Sequence, residues 1–104
     1  MNIIVDERYS KLENNNKLFA EGYIENLERL LTDKTILCNA CVYNDAEILE
    51  LQVVITDSNS SYHYVLTVPF IIIESAAYLA QLSEIYAHNT FREYYREVNK
   101  LLIG

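Results

Sequence analysis

The sequence predicts an α+β domain in which a three-stranded antiparallel meander is packed on one face by an N-terminal helix and two C-terminal helices. Two changes of periodicity predict it. Apolar residues recur at helical spacing over residues 17–32 and again beyond residue 70. Between these segments, over residues 35–70, the period changes to two, as in strands joined by short turns. The predicted order is therefore helix, three strands and two helices.

The 104 residues suffice for a single domain, and no linker divides them. The β-branched residues 3–5 predict either a short edge strand or part of a loosely ordered arm over residues 1–15. The asparagine run that follows predicts a loop or cap, with Asn16 as the N-cap of the first helix. Gly22 lies inside this helix and costs roughly 1 kcal/mol relative to alanine. The predicted apolar stripe of the helix is Ala20, Tyr23, Ile24, Leu27, Leu30 and Leu31.

Three segments alternate apolar and polar residues, as strands with one buried face do. Asn44 and Asp45 predict the turn between the first two strands, and residues 57–61 predict the loop before the third. The expected inward positions are Ile36, Cys38, Ala40 and Val42, then Leu49, Leu51, Val53 and Ile55, and finally Tyr62, Tyr64, Leu66 and Val68.

Pro69 suits either the end of the third strand or the first turn of a helix, and residues 70–88 then favour a helix that is apolar on most of its circumference. We expect this helix to be the most buried one. Asn89 predicts its end, because Thr90 and Glu93 have the spacing of a capping box that would begin a new helix. The stripe of the new helix is Phe91, Tyr94, Tyr95, Val98, Leu101 and Leu102.

Charge excludes one class of function. Fifteen acids against eight Lys and Arg give a net charge of -7, so phosphate backbones are repelled and direct nucleic-acid binding is not expected. The imbalance is concentrated, since residues 35–91 contain six acids and no Lys or Arg. A carboxylate surface without cations attracts basic proteins and speeds their encounter.

These features predict a non-catalytic module that binds a protein partner with a basic surface. Small acidic inhibitors of phages and mobile elements have this size and charge, and by that analogy the module would occlude a nucleic-acid-binding site on its partner. Tyrosine joins the expected surface because it is enriched at protein interfaces. The predicted partner-binding residues are Tyr43, Asp45, Glu47, Glu50, Asp57, Glu74 and Glu84.

The alternative is a homo-oligomeric structural or regulatory module, for instance a homodimer. Part of the last helix would then pair with a second copy instead of covering its own sheet. The residues expected at that interface are Tyr94, Tyr95, Val98 and Leu102.

Catalytic and metal-binding chemistry is weakly supported. Cys38 and Cys41 match C-x-x-C, but on a strand residues three apart point to opposite faces, so we expect one core and one surface thiol. Cys41, His63 and Glu50 would share the outer face as nucleophile, base and orienting group, and only adjacency would make them a site. Two cysteines also fall short of a zinc site, and two glycines form no phosphate loop. We therefore expect no enzyme, cofactor or metal.

The expected compartment is the cytoplasm. The N-terminal residues lack the basic and apolar regions of a secretory signal, and two cysteines without such a signal favour a reducing environment. The longest apolar run, residues 68–73, is far shorter than the ~20 residues of a membrane span, so no membrane association is expected.

Overall fold

The computed structural model describes residues 3–5, 12 and 14–103, with side chains described for residue 12 and residues 14–100. Helix, three antiparallel strands and two helices follow one another, which confirms the predicted α+β fold and its order. The elements are β1 (Ile3–Val5), α1 (Asn14–Leu30), β2 (Thr35–Tyr43), β3 (Ile48–Thr56), β4 (Ser61–Pro69), α2 (Phe70–Glu74) and α3 (Leu79–Ile103).

The sheet has four strands in the order β1-β2-β3-β4. Strands β2, β3 and β4 form the antiparallel meander, and β1 adds to its edge by pairing parallel with β2, with Ile3 opposite Cys38. The edge-strand alternative for residues 3–5 is therefore the one observed. The rest of the predicted arm up to residue 13, apart from residue 12, lies outside the described residues.

One face of the sheet carries the core. Every predicted inward position of β2 and β3 is buried, and on β4 Leu66 and Val68 are buried while Tyr62 and Tyr64 are half-buried at the sheet edge. Helices α1 and α3 cover this face, and Phe19 joins the predicted stripe of α1 in the core. The period-two pattern thus assigned both faces of the meander correctly.

Helix α1 begins two residues before the predicted cap. Asn14 is its first residue and has a φ of 55°, in the left-handed region that asparagine tolerates better than most side chains. Asn16 lies within the first turn instead of capping it. The asparagine run therefore predicts the start of α1 only approximately.

The boundary between the two C-terminal helices was predicted in the wrong place. Helix α2 spans five residues, the break covers residues 75–78, and α3 then continues through Asn89 and Thr90. Thr90 is fully buried, and its hydroxyl donates to the backbone carbonyl of Tyr86 at 3.1 Å while lying 2.7 Å from the hydroxyl of Tyr23. The Thr90 hydroxyl therefore bonds within and between helices, and it does not cap one.

The expectation that residues 70–88 form the most buried helix is also wrong. Ile71, Ile72, Tyr78 and Ile85 are exposed, because the helical layer has the sheet on one side and no described element on the other. No helix among the described residues has the length and apolar character needed to cross a membrane.

Helices α1 and α3 run parallel, since Phe19 meets Tyr86 and Tyr23 meets Thr90. They are in close contact at Gly22, where an added Cβ would lie 2.6 Å from Ser83 Oγ and 3.2 Å from Ser83 Cβ. Ser83 is buried and donates to the carbonyl of Ala80 at 2.9 Å, which limits how far it can turn away. Gly22 therefore lets the two helices touch.

Replacing Gly22 with alanine should lower the free energy of unfolding, despite the better helix propensity of alanine. We expect a net loss of about 1 kcal/mol, since overpacking costs more than the gain in propensity. Urea denaturation measures it. The loss should shrink in a Ser83→Ala background, which removes the nearer clashing atom; an equal loss in both backgrounds would contradict this account of the contact.

Candidate functional site

The β2–β3 turn and α2 lie together at one end of the sheet. The backbone N–H of Phe70 donates to the carbonyl of Glu47 at 2.8 Å, which holds the start of α2 against the turn. Among the exposed side chains around this contact are three acids and two isoleucines, which we call the hairpin-end surface: Asp45, Glu47, Ile71, Ile72 and Glu74. The surface joins three predicted partner-binding acids with two isoleucines from the segment that the sequence predicts to be the most buried helix.

Helix α2 exposes two of its three isoleucines because it is short and anchored by one side chain. Pro69 ends β4 in an extended conformation and begins the helix, while the N–H of Ser75 bonds back to the carbonyl of Ile71 and ends it. Only Ile73 is buried, whereas Ile71 is 70% exposed and Ile72 is 40% exposed. A single turn of four apolar residues cannot turn all of them toward the core.

Tyr43 and Glu50 lie on the outer face of the sheet, next to the hairpin end. The hydroxyl of Tyr43 donates to Glu50 Oε2 at 3.0 Å, and Gln52 donates to the same oxygen at 3.3 Å. Asn39 in turn donates to Gln52 at 3.3 Å. These two predicted partner-binding residues are therefore part of a polar ladder that spans β2 and β3, and both are half-buried.

The structure places Asp57 away from this group. It follows β3, a nine-residue strand of about 30 Å that begins at the hairpin end. Its Oδ1 accepts the backbone N–H groups of Asn59 at 2.8 Å and Ser60 at 2.9 Å, and these bonds hold the pKa of Asp57 below its usual value. This carboxylate closes the β3–β4 turn.

Glu84 is also separate, on the helical layer. It lines a groove of about 370 Å³ between α1 and α3, beside Gly22 and Ser83, whose small size leaves the space. Its Oε1 lies 3.8 Å from Nε2 of His88, one turn along the same helix. Of the seven predicted partner-binding residues, five therefore lie at or next to the hairpin end, and Asp57 and Glu84 do not.

The carboxylates of the hairpin end differ from those of the helices in their ion pairing. All ion pairs within the described part of the chain join residues no more than four positions apart. They are Arg29–Glu25, Lys34–Asp33, His88–Glu84, Arg96–Glu93 and Lys100–Glu97. None of these pairs includes Asp45, Glu47, Glu50 or Glu74, so no Lys or Arg of the described residues offsets the negative potential at this end of the sheet by an ion pair.

The predicted oligomer residues on α3 divide between core and surface. Tyr94 is only 3% exposed, and its ring contacts Tyr62 of β4 edge to face at 5.6 Å. Val98 is half-buried and packs against the core, whereas Tyr95 is 43% exposed. The side chain of Leu102 lies outside the described residues. Tyr94 therefore covers its own sheet, and among the three members whose side chains are described Tyr95 is the one that is exposed.

Both cysteines are buried, so the expectation of a surface thiol at Cys41 is wrong. Cys38 faces the core, where burial raises the pKa of its thiol to about 12. Cys41 faces the other side of the sheet, as the strand period requires. It lies opposite Glu50 and two residues before Tyr43, and these two larger, hydrogen-bonded side chains flank it.

The arrangement of Cys41, Glu50 and His63 does not form a nucleophile and its base. Cys41 and Glu50 are cross-strand partners, but the next residue across the sheet is Thr67. His63 lies four residues from Thr67, opposite Val54. Within the described residues, no group of three or more His, Cys, Asp or Glu side chains has the geometry to hold a metal ion.

Sequence reasoning missed Ile71 and Ile72 as surface residues. An all-apolar run after a proline carries no periodicity that separates a buried from an exposed side, so no local signal was available. The sequence around Glu47 likewise gives no indication that its backbone adopts the left-handed conformation, with a φ of 55°. Comparison with known proteins adds no assignment, since the sequence matches no family model and no curated protein.

Proposed function

We propose that this protein is a non-catalytic module that binds another protein through the hairpin-end surface, and that the partner presents a basic surface there. The observation that carries the proposal is the juxtaposition of exposed isoleucines on α2 with three exposed carboxylates that no cation in the described residues neutralises. Apolar contact at the centre would supply affinity, and the acids around it would select a cationic partner.

The position of the acids relative to the apolar pair supports this reading. Glu74 follows Ile72 by two residues on α2, and Glu47 is tied to the start of the same helix through its backbone carbonyl. A five-residue helix is only about 7.5 Å long, so carboxylates and isoleucines fall within one small patch. Charged residues at the rim of a patch steer encounter, and apolar residues at its centre reduce dissociation.

Glu47 adds a conformational argument. Its φ of 55° lies in the left-handed region, where a glycine or asparagine would fit at lower cost. A non-glycine residue in this region costs roughly 1–2 kcal/mol. The turn nevertheless holds a glutamate at that position and exposes its side chain. Strained residues are found at binding sites more often than elsewhere, which favours a role for this carboxylate in docking.

The partner's basic site would be of the kind that otherwise holds nucleic-acid phosphates, because that is where proteins gather Lys and Arg at high density. An acidic module bound to such a site would occlude it. This inhibitory form of the proposal, by analogy with small acidic inhibitors of phages and mobile elements, follows from size and charge.

The test uses the full chain as an immobilised bait for proteins of its native host. The variant D45N/E47Q/E74Q removes the three carboxylates of the hairpin-end surface, and E21Q/E25Q/E28Q removes three carboxylates of α1 as a control with the same net charge. We expect the wild type and the α1 variant to retain the same partner protein. The hairpin-end variant should retain at least about tenfold less of that protein.

Quantitative mass spectrometry of the retained proteins measures the result. Equal capture by the hairpin-end variant and the wild type would contradict the proposal, as would equal loss in both charge variants, which would indicate a response to net charge alone.

A further inference from the structure

Strand β4 ends the sheet with an edge that no described element pairs. It is nine residues long and keeps an unbroken register with β3 from Ser61 to Pro69. Residues 58–73 contain no Asp, Glu, Lys or Arg, and proline occurs only at the last position of the strand. Proteins normally protect such an edge with charges, prolines, bulges or short strands, and the opposite edge, β1, is indeed only three residues long.

An aromatic cluster continues the apolar surface from this edge onto α3. The rings of Tyr62 and Tyr64 stack at 6.3 Å, and Tyr62 contacts Tyr94. Tyr94 contacts Tyr95 at 5.5 Å, which in turn contacts Phe91 at 4.8 Å. All of these rings except that of Tyr94 are at least partly accessible. Tyrosines in such half-buried positions are typical of protein interfaces.

We propose that β4 pairs antiparallel with β4 of a second copy about a two-fold axis at Val65. In this register Val65 lies opposite its own counterpart, Tyr64 opposite Leu66, and Tyr62 opposite Val68. Each pair joins residues of the same face, so both copies keep their cores on one side of a continuous eight-stranded sheet. Val65, 58% exposed on the outer face, then meets an identical apolar side chain.

The charge distribution favours a second copy over a different strand. At -7, two copies repel each other, and the acids of residues 35–91 lie outside β4. Strand β4 itself carries no Asp, Glu, Lys or Arg, and the part of α3 beyond residue 91, which reaches this edge at Tyr94, carries three bases against two acids, so the edge adds little like-charge repulsion between copies. A basic partner gains no charge complementarity from an uncharged strand, whereas a second copy places apolar or aromatic side chains opposite one another at Tyr62–Val68, Tyr64–Leu66 and Val65–Val65.

The proposed β4 interface shares no residue with the hairpin-end surface, and neither proposal requires the other. The dimer would present two hairpin-end surfaces, one per copy. Failure of the host-capture experiment would leave the β4 pairing intact, and a monomeric protein would leave the docking proposal intact.

Sedimentation velocity of the full chain over a wide concentration range tests the pairing. We expect the wild type to approach twice the 12.1 kDa mass of one chain at high micromolar concentration. Val65→Lys should raise the protein concentration at which half of the chains are dimeric at least tenfold, because two lysines would face each other across the axis. Leu37→Lys, an exposed position on the same sheet face but on an inner strand, should associate like the wild type.

Disulfide cross-linking tests the register of the two β4 strands directly, and it applies even if a lysine variant fails to fold. Under mild oxidation Val65→Cys should form a covalent dimer, because residue 65 meets itself on the axis, and Thr67→Cys on the same face should form several-fold less. A wild type that stays monomeric at high micromolar concentration, equal effects of the two lysine variants, or equal cross-linking of the two cysteine variants would overturn the pairing.

Discussion

Truncating Phe19 to alanine should lower the free energy of unfolding by about 3–5 kcal/mol, a large share of the stability of a small domain. Phe19 is fully buried on α1 and stacks on Tyr23 with ring centroids 6.4 Å apart. It also meets Tyr86 of α3 edge to face at 5.5 Å. Removing the ring would leave a cavity where the two helices meet, and the helices are held too closely at Gly22 to close it.

The matched control for this prediction is the preceding residue. Leu18 is on the same helix and is 60% exposed, so Leu18→Ala should change the free energy of unfolding by less than about 0.5 kcal/mol. Urea titration followed by circular dichroism compares the two variants. A loss of under 1 kcal/mol for Phe19→Ala, or similar losses for both variants, would contradict the described packing of α1 on α3.

Replacing Thr90 with valine should cost about 1–3 kcal/mol, because it leaves a buried hydroxyl without its partner. The single hydroxyl proton of Thr90 is donated to the carbonyl of Tyr86, so Tyr23 is the donor in the Tyr23–Thr90 hydrogen bond. Burial raises the pKa of Tyr23, and its phenol therefore stays protonated and needs an acceptor. Valine has the shape of threonine and offers none.

The same hydrogen bond predicts an asymmetry between its two partners. Tyr23→Phe removes the donor but leaves the Thr90 hydroxyl bonded to Tyr86, so we expect a loss of about 1 kcal/mol or less. In the double variant both polar groups are gone, and its stability should exceed that of Thr90→Val alone. Thermal and urea unfolding of the three variants check this order, and a larger loss for Tyr23→Phe than for Thr90→Val would refute it.

The strands and α1 could be predicted because one face of each is covered. A covered face places apolar residues at a regular period, and the pattern of β2 and β3 assigned each of their inward residues correctly. Where no described element covers the second side of a helix, the apolar pattern does not predict which residues are buried. Four large apolar residues between positions 71 and 85 are exposed, since a sequence does not reveal how many sides of a helix have a neighbour: Ile71, Ile72, Tyr78 and Ile85.

The helix boundary at Thr90 was mispredicted for a different reason. A threonine followed three positions later by a glutamate can cap a new helix, but inside a helix the same hydroxyl can bond the carbonyl four residues earlier. The partner that accompanies the second arrangement is Tyr23, which is 67 positions away in the chain. A prediction from neighbouring residues cannot take account of a contact between residues so far apart in the sequence.

The sequence predicts the acidic character of the candidate site, but it does not predict which residues come together in it. Among the described residues Asp45, Glu47 and Glu74 form none of the ion pairs, as expected for acids in a stretch without Lys or Arg. Which acids come together depends on strand length and on the path of the chain after β4. These separate Asp57 and Glu84 from the hairpin end and bring Ile71 and Ile72 to it.

The salt dependence of binding to the captured partner tests the docking proposal most directly. Affinity would be measured by titration calorimetry at low and at high ionic strength, for the wild type and for D45N/E47Q/E74Q. Docking through unpaired carboxylates predicts a steep loss of wild-type affinity as salt is added, and a much shallower loss for the variant. A wild-type affinity that is the same at both ionic strengths would contradict the proposal.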